Sequence, residues 1–287
     1  NALGAEICDI ALNKPMSEST FGEIHRVFLD HGILLLRGQN ITREQHIEFS
    51  RRFGELDDHK SLPRDRHPDY PELLLVTNRP NPDGTPSESR YTGRLWHTDM
   101  SYSRDIALAN LLYAIQVPMR DCRPLGDTQF RNMHAAYDDL PADMKRRLEG
   151  RTATHDFVKF WDMMRAKPGS TRAPLTAEQR AKKPPVKQPI FATHPITGRK
   201  ILYCNPGYAL WIDDMDAAES AETLDYLFAH QAQDKYFHAH KWTAGDVLMW
   251  DNIGTVHNAV PDYRPDEPRY IRRVQIMATK DYARLAA

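Results

Sequence analysis

Cysteine is scarce, and the three that occur form no pattern. Cys8, Cys122 and Cys204 lie far apart and include no CxxC spacing, which excludes a disulfide framework and a zinc knuckle. Long apolar runs are missing as well. No stretch approaches the roughly 18 apolar residues of a membrane-spanning helix, so an integral membrane protein is not expected. Nor is there an excess of charge of either sign: 38 basic against 39 acidic residues leave −1. That field is too weak to draw the chain as a whole to nucleic acid or to an anionic membrane surface, and any preference for anions must come from a local site. The first residues, Asn1 to Ala5, have neither the basic nor the apolar region of a signal peptide, and a reducing cytoplasm is the expected location.

What is present has the composition of an ordinary globular protein, 41% hydrophobic and 27% charged over 287 residues, enough for one large barrel-type domain. The spacing of apolar residues predicts an amphipathic helix over residues 17–30 closed by Gly32, and then a buried strand at Ile33-Leu34-Leu35-Leu36. A second helix begins after Thr42 and carries Ile47, Phe49 and Phe53. Leu73 to Thr77 reads as a strand, residues 79–94 as a long loop, and Met133–Leu140 and Pro141–Leu148 as two helical pieces, since proline suits a first helical turn. Further strands are expected at Ile201–Cys204, Val247–Trp250 and Tyr270–Met277, with a helix over Ala218–Ala232 between them. Residues 165–189, rich in Lys, Arg, Pro and Ala, read as a mobile surface excursion. Strands spread along the whole length predict a single β-rich α+β domain over residues 1–287. Its expected form is a jelly roll, or double-stranded β-helix, decorated by helices, with an active-site excursion around residues 155–190.

The chemistry concentrates in three places. Trp96-His97-Thr98-Asp99 sets an imidazole and a carboxylate two residues apart, on one face if the chain is extended. With one distal histidine they would make a 2-His-1-carboxylate triad, which covers one face of an octahedral metal and leaves three positions open. His257 is the candidate third ligand, because Gly245 to Asn252 reads as a turn, a buried strand and a polar exit that would support a ligand-bearing loop. Beyond it, Arg269 and Arg273 stand at i and i+4, on one side of an extended segment. A fixed guanidinium suits a bidentate carboxylate partner. The bland alternatives are polar surface residues for the histidine pair and a solvated basic sheet edge for the arginines.

Together these residues resemble the TauD/TfdA family of iron(II)- and 2-oxoglutarate-dependent dioxygenases. The likeness runs from Leu3-Gly4-Ala5-Glu6-Ile7 through Leu36-Arg37-Gly38-Gln39 and Arg52-Phe53-Gly54, and its markers are Trp96-His97-Thr98-Asp99, Gly126-Asp127-Thr128, Trp250-Asp251-Asn252 with His257, and Arg269 with Arg273. The resemblance implies that His97, Asp99 and His257 hold Fe(II), and that Thr128 and Arg269 bind the distal carboxylate of 2-oxoglutarate. It also implies that O₂ hydroxylates an aliphatic C–H bond with succinate and CO₂ as co-products. In halogenating relatives a small residue replaces the carboxylate, so Asp99 points to hydroxylation.

By the same resemblance His59 and Arg273 would hold the anionic head of a small organic substrate. The asparagine of taurine-type members is replaced near Gly93 and their tyrosine near Leu62, which moves the expected substrate from taurine to an aryloxyalkanoate, alkyl sulfate or sulfonate. His155, Phe157, Phe160 and Trp161, with Asn205 and Tyr208, are candidates to border the cavity. A homo-oligomer is a further implication; neither nucleic acid nor membrane is an expected partner. Two other readings remain: a cupin-type metalloenzyme that uses no 2-oxo acid, and a non-catalytic jelly roll that senses small anions.

Overall fold

The computed structural model describes residues 3–60, 65–80, 84, 87, 93–168, 170 and 172–278. Its frame is a six-stranded sheet whose strands lie in the order Ala5–Glu6, Ile33–Leu36, Val247–Asp251, Ala107–Gln116, Tyr270–Met277 and Leu74–Thr77. The first two run parallel and every other neighbouring pair antiparallel. A smaller antiparallel sheet places Thr128–Asn132 between Phe237–His240 and Thr255–Ala259.

Side-chain alternation explains why the central strands read as unbroken apolar runs. Ile33, Leu35, Leu112, Leu248, Trp250 and Ile271 point to one face of the large sheet and pack with Phe130 of the small sheet and with Trp242. Leu34, Leu36, Leu111, Val247 and Met249 point the other way and join Phe28, Phe49 and Phe53 from the helical side. A strand covered on both faces has no polar face to show. That is also why the ten-residue strand Ala107–Gln116, the middle of the sheet, escapes a search for alternation. Its first eight residues are all buried.

The helices follow their capping chemistry. Glu18–His31 starts at Ser17, whose hydroxyl accepts from Thr20 N–H, and ends at Gly32 with φ of 68°, the left-handed turn that glycine adopts without strain. Arg43–Arg51 begins with the reciprocal Thr42 and Gln45 capping box. Phe53 lies just past that helix and packs edge-on to Phe21, Phe28 and Phe49. Met133–Asp138, Ala142–Leu148 and Ala217–Gln231 agree with expectation to within a residue or two, as do Leu74–Thr77 and Lys200–Leu202.

The segment expected as a surface excursion is more built than its composition suggests. It contains the helices Phe157–Arg165 and Ala177–Ala181, and Val186–Pro189 returns as a strand paired with Thr152–His155. Polar bonds tie it down where apolar groups are few: the Gln188 amide donates to Ser101 O and Ser103 O at 2.9 Å. The expected loop at 79–94 falls largely outside the described residues. Among the described residues no helix is long and apolar enough to cross a membrane.

Two buried histidines make the fold sensitive to acid. His46 and His155 are both 0% exposed. Burial, aided by Arg272 at His46 and by Lys159 at His155, pushes each down to about 3 from an ordinary 6.5. Between those values the unfolded chain binds protons that the folded chain does not, so stability falls as pH drops through that window. The urea midpoint should be lower at about pH 5 than at about pH 7.5, and His155→Gln should narrow the difference; a midpoint that ignores pH would contradict this burial.

Candidate metal centre

His97 and His257 face each other across a single antiparallel bridge, with His97 N–H donating to His257 O at 3.1 Å and the reverse bond at 2.8 Å. Their rings are 4.2 Å apart. His257 sits in the middle of strand Thr255–Ala259, not on a loop as the sequence suggested. The turn before it is tight enough for the chain to re-enter a sheet at once, because the Asp251 carboxylate accepts the Ile253 and Gly254 N–H groups.

Asp99 lies in the turn after the bridge, so strand periodicity is not what aims it. An amide clamp does that: Asp99 N–H donates to Asn252 Oδ1 at 3.0 Å, and Asn252 Nδ2 donates to Asp99 O at 2.9 Å. The carboxylate then stands 3.3 Å from His97 Nε2 and 3.5 Å from His257 Nε2. One donor atom from each of the three residues lies within 4.8 Å of the others.

The protonation states suit a cation. His97 Nδ1 is 2.6 Å from Leu95 O, a carbonyl that can only accept, so Nδ1 carries the proton and Nε2 keeps its lone pair for a metal. Burial, with His97 beside it, pushes His257 down to about 3, and hence neutral. Burial alone would raise Asp99, but the Arg273 guanidinium beside it leads the groups that outweigh burial and hold the carboxyl well below the usual range. Two imidazoles and an ionised carboxylate are a donor set that Fe(II) accepts.

A second group of the same residue types is not such a site. His194 Nε2 and His134 Nε2 stand 3.4 and 3.7 Å from Asp251 Oδ2. His194 Nδ1, however, accepts the N–H groups of Ile196 and Thr197, so its proton is on the nitrogen that faces Asp251. The backbone at Gly254 also fills the gap, since a Cβ there would be 2.2 Å from Asp251 Oδ2 and 2.8 Å from His134 Nε2.

Arg269 is 5% exposed, its Nε has no partner, and no carboxylate pairs with it among the described residues. Its backbone is pinned by Asn78 Oδ1 and the Thr77 hydroxyl, and its guanidinium lies 5.7 Å from the Tyr263 ring. Gly126, with φ of 79°, leaves the room: a Cβ there would meet Tyr263 at 3.2 Å and Arg269 Nε at 3.3 Å. Two residues on, Thr128 is buried at the head of its strand, and its hydroxyl accepts from Trp242 Nε1 at 3.1 Å. A buried, unpaired guanidinium calls for an anion, and the distal carboxylate of a 2-oxo diacid is one.

Arg273 is engaged at the metal centre. Its Nη2 is 3.0 Å from Asp99 Oδ2 and its Nε donates to Asn110 Oδ1. The intervening Arg272 turns to the opposite face, donating to Ile41 O. His59 is 1% exposed, with Nδ1 3.1 Å from Asp57 and Nε2 unpartnered.

Of the aromatic candidates, Phe160 and Tyr208 stand 5.0 and 6.1 Å from the His97 ring and stack on each other. Tyr102 and Phe157 extend that wall. Trp161 turns away to Ala173 O. His155 and Asn205 lie behind the wall on Ser101 Oγ. Sequence reasoning missed Asn110 and Tyr102 and gave Asn252 no role. Asn110 is an isolated polar residue in an apolar run; that interruption is the one signal it leaves.

A family model described as "Taurine catabolism dioxygenase TauD, TfdA family" matches residues 1–275. The chain is 32% identical over 261 residues to an alpha-ketoglutarate-dependent 2,4-dichlorophenoxyacetate dioxygenase of Burkholderia sp. (strain RASC), covering 88% of this chain and 84% of that one. It is 29% identical over 284 residues to a pentalenolactone F synthase of Streptomyces avermitilis, covering 96% and 90% respectively. The crystal structure of AAD-2 in complex with Mn(II) and N-oxalylglycine superposes with a TM-score of 0.80 at 28% identity, over 98% of this chain and 95% of that one.

Gly207 tests the placement of His97. A Cβ there would be 2.8 Å from His97 Cβ and 3.0 Å from Trp96 O, so Gly207→Ala must displace the histidine. Its affinity for Co(II) should fall at least about tenfold in an equilibrium titration; unchanged affinity would place His97 wrongly.

Proposed function

The chain belongs to the TauD/TfdA family and is a 2-oxoglutarate-dependent non-haem iron dioxygenase; from that premise we propose that it hydroxylates an aliphatic C–H bond of a small organic anion, with aryloxyalkanoates as the favoured class. We read His97, Asp99 and His257 as the Fe(II) ligands, Thr128 and Arg269 as the site for the distal carboxylate of 2-oxoglutarate, and His59 and Arg273 as the anion site for substrate. Iron(II) with 2-oxoglutarate, when bound, supplies oxidation of the C–H bond by O₂, with succinate and CO₂ as co-products. The six-stranded and three-stranded sheets are read as the two halves of a double-stranded β-helix, in one domain over residues 1–287.

The observation that carries this reading is Arg269. A metalloenzyme without a 2-oxo acid gives no reason for a buried guanidinium with an orphan Nε, and an anion sensor gives none for the grouped His97, Asp99 and His257. The guanidinium fork takes a carboxylate in two parallel bonds. Thr128 joins it because Trp242 already occupies an acceptor position on its hydroxyl, which turns the Thr128 proton outward as a donor. His97 keeps Nε2 free through Leu95 O, and Asn110 and Arg273 hold the outer oxygen of Asp99.

Support for an aryl substrate comes from the wall beside His97. Phe160, Tyr208 and Tyr102 offer ring faces and edges to a flat apolar body and exclude water from the reacting bond. An anionic head directed at Arg273 and His59 would fix which carbon lies near the metal.

Succinate release measured under air across phenoxyacetate, hexyl sulfate, hexanesulfonate and taurine should be stimulated most by phenoxyacetate and least by taurine. In Arg269→Ala the KM for 2-oxoglutarate should rise about tenfold or more, as expected for a lost charge-assisted bond. Stronger stimulation by hexyl sulfate would overturn the aryloxy assignment alone. An unchanged KM in Arg269→Ala would overturn the carboxylate site.

A further inference from the structure

We propose that Asp57 is a positioning residue that orients both side chains of the anion site, His59 directly and Arg273 through Gln275; the inference rests on the reading of His59 and Arg273 as that site. Asp57 is a half-buried carboxylate that the metal centre and the carboxylate site do not use. It stands two residues before His59 and holds it twice. Asp57 Oδ2 is 3.1 Å from His59 Nδ1, and Asp57 Oδ1 accepts His59 N–H at 3.2 Å.

The backbone shows that this arrangement is imposed. His59 has φ of 51°, a left-handed conformation that strains a non-glycine residue and persists where the surroundings enforce it. The two bonds to Asp57 enforce it, and Asp57 itself is fixed to the Tyr270–Met277 strand through its N–H to Gln275 O at 2.9 Å. The ring that results is 1% exposed with Nε2 unpartnered. A carboxylate can only accept, so the proton of the imidazole sits on Nδ1, and Nε2 is the atom left for a ligand.

The same logic fixes Gln275. Its amide lies between Arg273 Nη2, which can only donate, and Asp57 Oδ2, which can only accept. The oxygen therefore faces Arg273 and the NH₂ faces Asp57, and the amide cannot flip without making two repulsive contacts. Arg273 in turn reaches Asp99. One continuous buried chain, His59, Asp57, Gln275, Arg273 and Asp99, thus links the anion site to the metal centre, with Asp57 as its anchor.

The test compares Asp57→Ala, Asp57→Asn and His59→Ala in the holoenzyme, with phenoxyacetate as probe, and reads the His59 ring by ¹⁵N NMR in the zinc-loaded protein. For Asp57→Ala the KM for phenoxyacetate should rise about tenfold, with kcat and the KM for 2-oxoglutarate within about twofold of wild type. Asp57→Asn should retain most of the affinity, because its amide oxygen still accepts Nδ1–H. In the wild type the NMR signal should show Nδ1 protonated, and Asp57→Ala should lose that preference. If His59→Ala leaves the KM for phenoxyacetate unchanged, the anion-site reading fails. If His59→Ala raises it and Asp57→Ala does not, only the role of Asp57 is overturned. A wild-type His59 that is neutral with its proton on Nε2 overturns the proposal whether or not any variant folds or phenoxyacetate is turned over.

Discussion

A carboxylate held inside the protein is the constraint around which this site is arranged. Asp99 has lost most of its water, and a buried charge is tolerated only where other groups replace that solvation. Arg273, Asn110 and the two histidines do so at its oxygens, and Asn252 secures its backbone on both sides. Each of these partners is in turn held by the large sheet. Asn110 lies in its central strand, Arg273 in the neighbouring strand, and Asn252 just past the end of the strand on the other side. The small sheet contributes His257, and the bridge to His97 brings both rings to one place. The two sheets and their shared apolar layer exist, from the standpoint of chemistry, to keep this charge ionised and directed.

The polar groups are graded in the same way as one moves outward. Of the candidate metal ligands, His97 is held through Nδ1 by Leu95 O and Asp99 by Asn110 and Arg273, while His257 Nδ1 has no partner. Arg269 and His59 are each left with a nitrogen that has no partner. Buried donors without partners are rare in folded proteins because each costs about 1–3 kcal/mol. Other buried atoms share this, among them His46 Nδ1, His155 Nε2 and Arg272 Nε; at Arg269 and His59 the open nitrogen is where the proposed ligands would bind. Phe160, Tyr208 and Tyr102 form an aromatic cluster beside His97.

Much of this was legible before any coordinates. The caps at Ser17, Gly32 and Thr42 mark helix ends by local chemistry alone, and the family motifs single out His97, Asp99 and His257, which the fold brings together, with Thr128 and Arg269 as candidates beside them. What could not be read is non-local. The strand Ala107–Gln116 hides its alternation because both of its faces are buried. The loop expected to carry His257 is a strand because Thr128–Asn132 lies beside it, a pairing across more than a hundred residues. The aim of Asp99 follows from an amide 153 residues away, and the bond between Arg273 and the same carboxylate follows from a fold, not from a spacing. Residues 186–189 look like surface because the polar bonds of Gln188, not apolar groups, tie them to the site.

The account stands or falls on Asp99 as the charged member of an iron site. Anaerobic equilibrium titration with Fe(II) should give one tightly bound iron per wild-type chain, and Asp99→Ala should lose at least about a hundredfold in affinity while keeping its folded circular dichroism. Wild-type affinity in a folded Asp99→Ala protein would contradict it, because the network around that carboxylate would then serve something other than a metal.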